Sequence, residues 1–115
     1  MTWTARLPRH IVNQLLHHAQ QSPDGEVCGL IGSKGGLPSH CYPIANIATI
    51  PQRLFAIYHS HPVGPSIPSA TDLAQANYPE TLYLIISMQT RGVLEMQGFL
   101  LDGDTITEVP LEIIE

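Results

Sequence analysis

Two histidines separated by one residue, His59 and His61, follow an apolar run and precede a proline. Residues i and i+2 of a strand project from the same face, roughly 7 Å apart at their α-carbons, so both imidazoles can reach one metal ion. A helix predicted to begin near Ser69 carries Asp72 in its first turn, and this carboxylate could supply a third ligand. Two histidines and one carboxylate leave one position of a tetrahedral zinc open for water, which is typical of a catalytic zinc site.

Each part of this pattern also has an interpretation that involves no catalysis. A His-x-His pair can simply be two polar residues at the end of a strand. Ser69 and Asp72 fit a capping box, in which the serine caps a helix and the acidic residue hydrogen-bonds back to it. Glu26, which opens an apolar segment, can be a solvated carboxylate at the start of a strand. The residues taken singly leave these alternatives open.

The spacing of apolar residues predicts mixed helices and strands, with the histidines at the end of a strand. Apolar residues at helical spacing predict a helix over 8–21. A nearly continuous apolar run over 82–88 is typical of a central strand that is buried on both faces, and three prolines make 61–69 a stiff loop. Lys-Gly-Gly and Asp-Gly turns predict two hairpins. The remaining predicted elements are strands over 26–33, 37–47, 54–59, 94–101 and 105–114 and a helix over 69–77.

The composition limits the classes of protein to which the chain can belong. Of its 115 residues, 43% are apolar and 13% are charged, which suits a single folded domain over 1–115 and excludes a disordered chain. Ten acidic residues against five basic ones argue against a nucleic-acid surface. No apolar run approaches the roughly 20 residues of a membrane span. Residues 1–20 also lack the apolar stretch of a signal peptide, so we expect a cytoplasmic protein with no membrane partner.

The cysteines and the other histidines are predicted to take no part in a metal site. Cys28 and Cys41 form no C-x-x-C pair, and no H-E-x-x-H motif is present. Cys28 lies in an apolar run and is expected to be a small core residue. The histidines expected on the surface are His10, His17, His18 and His40.

The complete string His59-x-His61-Pro62-x6-Ser69-x2-Asp72 resembles the H-x-H-x7-S-x2-D signature of the JAMM (MPN+) zinc metallopeptidases. In that family the signature works with an upstream glutamate in a segment similar to E-x-C-G-L, which here is Glu26-Val27-Cys28-Gly29-Leu30. The resemblance covers most of the chain and points to the compact prokaryotic branch. It implies the α/β (α+β) class and a cytidine-deaminase-like JAMM/MPN fold, a mixed β-sheet flanked by helices.

The resemblance also implies a role for each matched residue. His59, His61 and Asp72 would bind one Zn²⁺ ion per chain. Glu26 would act as the general base that takes a proton from the attacking water and delivers it to the leaving amine. Ser69 would donate a hydrogen bond to the developing oxyanion, and it could cap the helix at the same time.

Members of the prokaryotic branch are associated with small ubiquitin-like sulfur-carrier proteins whose tails end in Gly-Gly. The resemblance therefore implies a zinc-dependent peptidase or isopeptidase that hydrolyses the bond after such a tail. A non-catalytic MPN-type interaction module is the alternative from another class, although such modules typically lose metal ligands that are all present here. A zinc amidohydrolase acting on a small acyl-amide would use the same residues and is a further alternative.

The chain departs from the family pattern in one region. Compact relatives usually have a helical stretch before the His-x-His strand, whereas here only residues 47–57 separate Asn46 from Tyr58. Pro51 disfavours a helix in this region. The shortening would leave the substrate groove either more open or covered by a partner subunit. An apolar face exposed in this way favours a homodimer, which is the prediction for the oligomeric state.

Overall fold

The computed structural model describes residues 3–43, 53–89 and 95–115. In chain order, the elements in these ranges are β1 (Ala5–Pro8), α1 (Arg9–Gln20), β2 (Cys28–Lys34), β3 (Leu37–Tyr42), β4 (Arg53–His61), α2 (Ala70–Gln75), β5 (Leu82–Ser87), β6 (Glu95–Asp102), β7 (Thr105–Val109) and β8 (Leu111–Ile114). Neither helix in the described ranges has the length and apolar character needed to cross a membrane.

Six strands form one mixed sheet in the order β3-β2-β4-β5-β6-β7. The pairing of β4 with β5 is parallel, whereas the other four pairs of this sheet are antiparallel. All six residues of β5 are buried, which confirms the predicted central strand. Strands β1 and β8 pair in parallel as a separate two-stranded sheet. A mixed sheet with helices beside it confirms the fold class expected from the sequence.

The two faces of the six-stranded sheet carry separate apolar clusters. Alternate residues of β5 point to opposite faces, so that Leu84 and Ile86 join one cluster and Tyr83 and Ile85 join the other. The first cluster packs under α1, which buries Ile11, Val12, Leu15 and Ala19. The second cluster packs under α2, through Leu73. Because α2 has only six residues, it leaves part of the second face open as cavities.

Both predicted hairpins are present, but the last predicted strand is divided. Gly35 and Gly36 join β2 to β3 with φ angles of 63° and 83°, which glycine adopts without strain. The turn containing Gly103 joins β6 to β7. The strand expected over 105–114 is interrupted at Pro110, because proline has no N–H to donate to a sheet ladder. The chain beyond Pro110 leaves the large sheet and pairs with β1, a strand that the sequence pattern did not predict.

Three further expectations from the sequence are wrong in detail. The strand expected to begin at Glu26 begins at Cys28. Cys28 is exposed rather than part of the core, because it lies on the face that α2 covers incompletely. His18 is half-buried rather than a simple surface residue, and its Nδ1 lies 2.7 Å from the Tyr58 hydroxyl oxygen.

The shortened region before the His-x-His strand is only partly described. Residues 44–52, which include the Pro-x-x-Asn asparagine and most of the region over 47–57, lie outside the described residues. Residues 53–57 belong to β4. The open groove and the homodimer inferred from this region therefore stay predictions.

Gly29 of β2 lies directly against the ring of Tyr58 on the neighbouring strand β4. A β-carbon at position 29 would lie 2.3 Å from ring and hydroxyl atoms of Tyr58, which is closer than real β-carbons approach other atoms. Tyr58 is fully buried and hydrogen-bonded to His18, so its ring cannot move aside without losing that contact. We expect Gly29→Ala to lower the free energy of unfolding, measured by urea denaturation, by about 3 kcal/mol.

Gly25, in the turn before β2, provides the matched control for this substitution. A β-carbon at position 25 would meet no other atom within 4 Å. Gly25→Ala should therefore change the free energy of unfolding by less than about 0.5 kcal/mol. Equal stabilities of the two variants would contradict the close packing of Gly29 on Tyr58.

Candidate metal centre

His59 and His61 lie at the carboxyl end of β4, where this strand pairs in parallel with β5. Because side chains alternate along a strand, both imidazoles point to the same face. Their ring centroids are 5.0 Å apart, and the residues are only 8% and 9% exposed. Both residues belong to a hydrogen-bonded strand, which fixes the backbone positions from which the two rings extend.

Asp72, in the first turn of α2, brings its carboxylate to both histidines. Its Oδ1 lies 3.1 Å from His59 Nε2, and its Oδ2 lies 3.0 Å from His61 Nε2. The two Nε2 atoms are 3.2 Å apart. Within the part of the chain that the structure describes, these three residues form a group whose side chains could hold a metal ion.

The capping box between Ser69 and Asp72 is present, and it is compatible with a ligand role for Asp72. The Ser69 N–H donates to Asp72 Oδ2 at 2.8 Å, while the Asp72 N–H donates to Ser69 Oγ at 3.1 Å. The cap therefore aims the carboxylate at the histidines instead of competing with them. Ser69 Oγ acts as an acceptor for the Asp72 N–H in the cap, so its hydroxyl hydrogen can be donated to a carboxylate or carbonyl oxygen.

The loop between β4 and α2 orients His61. The imidazole Nδ1 donates to the carbonyl oxygen of Pro65 at 2.9 Å. A carbonyl can only accept, so the neutral ring carries its hydrogen on Nδ1 and its lone pair on Nε2. Ser66, which is fully buried, anchors the loop by donating its hydroxyl hydrogen to Gln97 Oε1 at 3.0 Å. The loop thus leaves His61 in the tautomer that a metal ligand at Nε2 requires.

The environment of Asp72 favours the ionised carboxylate. Burial would raise the pKa of this carboxyl group, because a low-dielectric surrounding disfavours its charged form. Hydrogen bonds from the Ser69 N–H and from the Ser69 side chain, together with the positive charges that His59 and His61 carry when they are protonated, outweigh burial, so the pKa of Asp72 lies below its ordinary value. Asp72 is therefore a carboxylate at neutral pH, which is the form that binds a metal.

The donor atoms of the three side chains fit a zinc ion. Ligand atoms about 2.0–2.1 Å from a tetrahedral zinc lie roughly 3.3 Å apart, and the two histidine Nε2 atoms are 3.2 Å apart. Each histidine lies 3.0–3.1 Å from a different oxygen of Asp72, and one ligand atom from each of the three residues lies within 4.8 Å of the other two. The lone pair of neutral His61 faces a carboxylate oxygen, an arrangement that is favourable only with a proton or a metal cation between them. Two imidazoles and one carboxylate are also a common set of three protein ligands in catalytic zinc sites.

Glu26 lies on the strand next to the histidines. Cys28 pairs with His59 in the ladder between β2 and β4, and Glu26, two residues earlier, lies on the same face as Cys28. Glu26 lines two cavities, of about 190 and 310 Å³, beside the histidines. The five residues singled out from the sequence each line one or both of these cavities: Glu26, His59, His61, Ser69 and Asp72.

A third cavity, of about 330 Å³, continues from the smaller of these two along the face of the sheet. The two cavities share the residues Cys28, Ile57, Gln75 and Tyr83. At its far end the third cavity also includes Tyr78, whose N–H donates to the hydroxyl oxygen of Tyr83 at 3.2 Å. A groove therefore leads along the sheet to the side of Glu26.

Sequence reasoning missed two groups near the site. No sequence pattern indicates that the Pro65 carbonyl accepts a hydrogen bond from His61, because the direction of this carbonyl depends on the conformation of the loop. Ser60, between the two histidines, is fully buried and hydrogen-bonded to Val27, the residue after Glu26. The sequence could have indicated the role of Ser60, since strand alternation places its side chain on the same face as Tyr58. A hydroxyl buried on that face needs a hydrogen-bond partner.

The chain is similar in sequence to proteins named as a peptidase and as a desampylase. A family model described as prokaryotic homologues of the JAB domain matches residues 52–97. The CysO-cysteine peptidase of Mycobacterium tuberculosis is 25% identical, in a match that covers 91% of this chain and 88% of the relative. The desampylase of Haloferax volcanii is 28% identical, in a match that covers 69% of this chain and 77% of the relative.

Solved structures share the fold. A protein from Desulfitobacterium hafniense superposes with a TM-score of 0.81 at 26% identity, over 97% of this chain and 94% of that chain. A structure reported as the JAMM metalloprotease-like zinc site in the proteasome and signalosome superposes with a TM-score of 0.72 at 20% identity, over 99% and 100% of the two chains. The relatives and the His-His-Asp cluster support a hydrolase of the JAMM type with a metal site. The family model, the two relatives and the shared fold together support a prokaryotic JAMM/MPN family for this chain.

Proposed function

We propose that this chain is a zinc-dependent peptidase or isopeptidase that hydrolyses the bond after the C-terminal Gly-Gly tail of a ubiquitin-like or sulfur-carrier protein. The convergence of His59, His61 and Asp72, which each bring one ligand atom to within 4.8 Å of the other two, carries the proposal. In this proposal the three residues hold about one zinc ion per chain. The placement of Glu26 along the same cavities supports a catalytic rather than a structural ion.

The residues of the site divide the chemistry between them. Zinc, when bound, supplies activation of a water molecule and polarisation of the scissile carbonyl. Glu26 takes a proton from the attacking water and later delivers it to the leaving amine, so that breakage of the C–N bond yields a carboxylate and an amine. Ser69 donates its hydroxyl hydrogen to the carbonyl oxygen as negative charge develops there, while its Oγ continues to cap α2. The cap of α2 holds Ser69 in place before the substrate arrives.

The proposed substrate class rests on the relatives and on the groove. The relatives are named for their action on CysO-cysteine and for desampylation. The groove runs from the side of Glu26 past Ile57 to Tyr83, which offers an extended chain a path to the reacting groups. Glycine residues suit close passage over a protein surface, because they carry no side chain. An extended Gly-Gly tail therefore fits this path.

We place the reaction in the cytoplasm, on the basis of the cysteines. Cys28 and Cys41 are both free thiols. Free thiols are typical of proteins in reducing compartments, where disulfides rarely persist. Cys28 in particular is exposed beside the site, where an oxidising environment would modify it.

Cleavage assays in which the zinc-loaded protein is given three candidate substrates test the proposed function. The first is a ubiquitin-like sulfur carrier extended by an amino acid past Gly-Gly, the second is the same carrier joined to a lysine side chain, and the third is an N-acyl amino acid. We expect cleavage directly after Gly-Gly, detected by intact mass. The kcat/KM for a carrier should exceed that for the small amide by about 100-fold or more, because contacts with the folded carrier add binding energy.

The alternatives make different predictions in the same assays. Turnover of the N-acyl amino acid with no turnover of either carrier would make the chain an amidohydrolase. Binding of a carrier, measured by calorimetry, with no cleavage by the zinc-loaded protein would make it an interaction module of the MPN type.

A further inference from the structure

Ser60 connects the two histidines to the segment that carries Glu26. It is fully buried, and strand alternation turns its side chain away from the face on which the histidines lie. Its hydroxyl oxygen accepts a hydrogen bond from the Val27 N–H at 3.0 Å, and its own N–H donates to the Val27 carbonyl oxygen at 2.9 Å. A single residue of β4 therefore holds both backbone groups of Val27.

These two hydrogen bonds extend the contact between β2 and β4 beyond the end of the regular ladder. The last regular pair at this end is Cys28 with His59. One residue earlier, the Val27 N–H is bonded to a side-chain hydroxyl where a ladder would supply a carbonyl. The Ser60 hydroxyl thus replaces a ladder partner at the point where the strand would otherwise separate from its neighbour.

The position of Val27 determines the face on which Glu26 lies. Val27 is buried in the cluster beneath α1, so the preceding side chain must point to the opposite face of the sheet. That face holds the cavity lined by Glu26, His59 and Asp72. Slippage of this segment by one residue would exchange the two faces and turn Glu26 away from the histidines.

We propose that Ser60 is a positioning residue that acts through Val27 to hold Glu26 beside the metal ligands. This role rests on the proposed function, in which Glu26 is the general base. Ser60 contacts neither the substrate nor the metal. The pairing of β4 with β5 holds the backbone of His59 and His61 independently of the Ser60 hydroxyl, so its loss should leave the ligands in place.

The Ser60→Ala variant removes the hydroxyl acceptor and keeps the backbone N–H. In the metal-free protein, amide hydrogen exchange measured by NMR should become about 10-fold faster or more at Val27, because its N–H loses its partner. Exchange at Leu30, farther along β2, should stay at its wild-type rate. This measurement requires neither metal nor substrate.

Of the two steady-state constants, Ser60→Ala should change only kcat. We expect Ser60→Ala to bind as much zinc as the wild type and to keep its KM, while kcat falls about 10- to 100-fold, since a small misplacement of a reacting group has effects of this size. Ser60→Thr restores a hydroxyl, so its amide exchange rate at Val27 and its kcat should both return most of the way to the wild-type values. Ser39→Ala is the matched control, because it removes a hydroxyl that donates to the Gly32 carbonyl oxygen away from the site.

Several results would overturn this role for Ser60. Unchanged exchange at Val27 in Ser60→Ala would show that the hydroxyl does not hold the segment, and a wild-type kcat despite faster exchange would show that holding it does not matter. Loss of zinc from Ser60→Ala would show that the Ser60 hydroxyl acts on the metal ligands and not on Glu26. A wild-type protein that cleaves no carrier would refute the proposed function, whereas exchange at Val27 would still decide whether Ser60 holds this segment.

Discussion

Glu26→Gln should lower kcat about 10³-fold toward a carrier extended past Gly-Gly, while the protein keeps its full metal content. Glutamine has the size of glutamate and can still hydrogen-bond a water molecule, but it cannot accept a proton at neutral pH. The metal should stay because Glu26 is not part of the His-His-Asp group. Steady-state kinetics and elemental analysis on the same preparation measure the two quantities together.

Glu80→Gln provides the control for the change in charge. Glu80 is exposed and does not line the cavities beside the histidines. This control should therefore keep wild-type kcat and metal content. A Glu26→Gln variant with kcat within about 10-fold of the wild type would remove Glu26 from the general-base role, since a positioned base contributes about 10²- to 10⁴-fold. Loss of metal from that variant would instead make Glu26 a ligand.

Much of the candidate site was predictable because its members obey local rules of chain geometry. His59 and His61 share a face through the alternation of a strand. Ser69 and Asp72 meet through a capping box, whose two hydrogen bonds are both formed. The family signature then linked the two pairs and added Glu26. The roles of these five residues stay predictions, which the substitutions described here can test.

Contacts between distant parts of the chain were not predictable in the same way. The pairing of β1 with β8 joins two four-residue strands near opposite ends of the chain, and neither is long enough to give a clear periodic pattern. The contact of His18 with Tyr58 depends on how α1 crosses the sheet. The spacing of residues in the sequence predicts neither the pairing of β1 with β8 nor the contact of His18 with Tyr58.

The exposure of Cys28 has a similar cause. Its apolar neighbours indicate a buried strand, and Leu30 and Ile31 are indeed buried. Burial of one face of a strand, however, depends on the element that covers it. The six-residue helix α2 does not reach over Cys28, which therefore lines a cavity. The same incomplete cover leaves the groove that we propose for the substrate tail.

His61→Ala should abolish metal binding and, with it, all measurable turnover. The substitution removes the Nε2 atom that lies 3.0 Å from Asp72 and 3.2 Å from His59. It leaves two protein ligands, too few for a stable zinc site. Elemental analysis should give about one zinc per wild-type chain and less than about 0.1 per variant chain after both are incubated with zinc and desalted.

Thermal unfolding distinguishes loss of the metal site from loss of the fold. A ligand that binds the native state at about 100 times its Kd adds about 2.7 kcal/mol to the free energy of unfolding, so zinc should raise the wild-type Tm by about 10 °C or more. Zinc should leave the Tm of His61→Ala unchanged, whereas the control His10→Ala, at an exposed position of α1, should respond as the wild type does. A variant that still binds zinc would show that other residues hold the ion. A wild type that binds none would favour the interaction-module alternative, because the convergence of the three side chains would then serve the packing of α2 on β4.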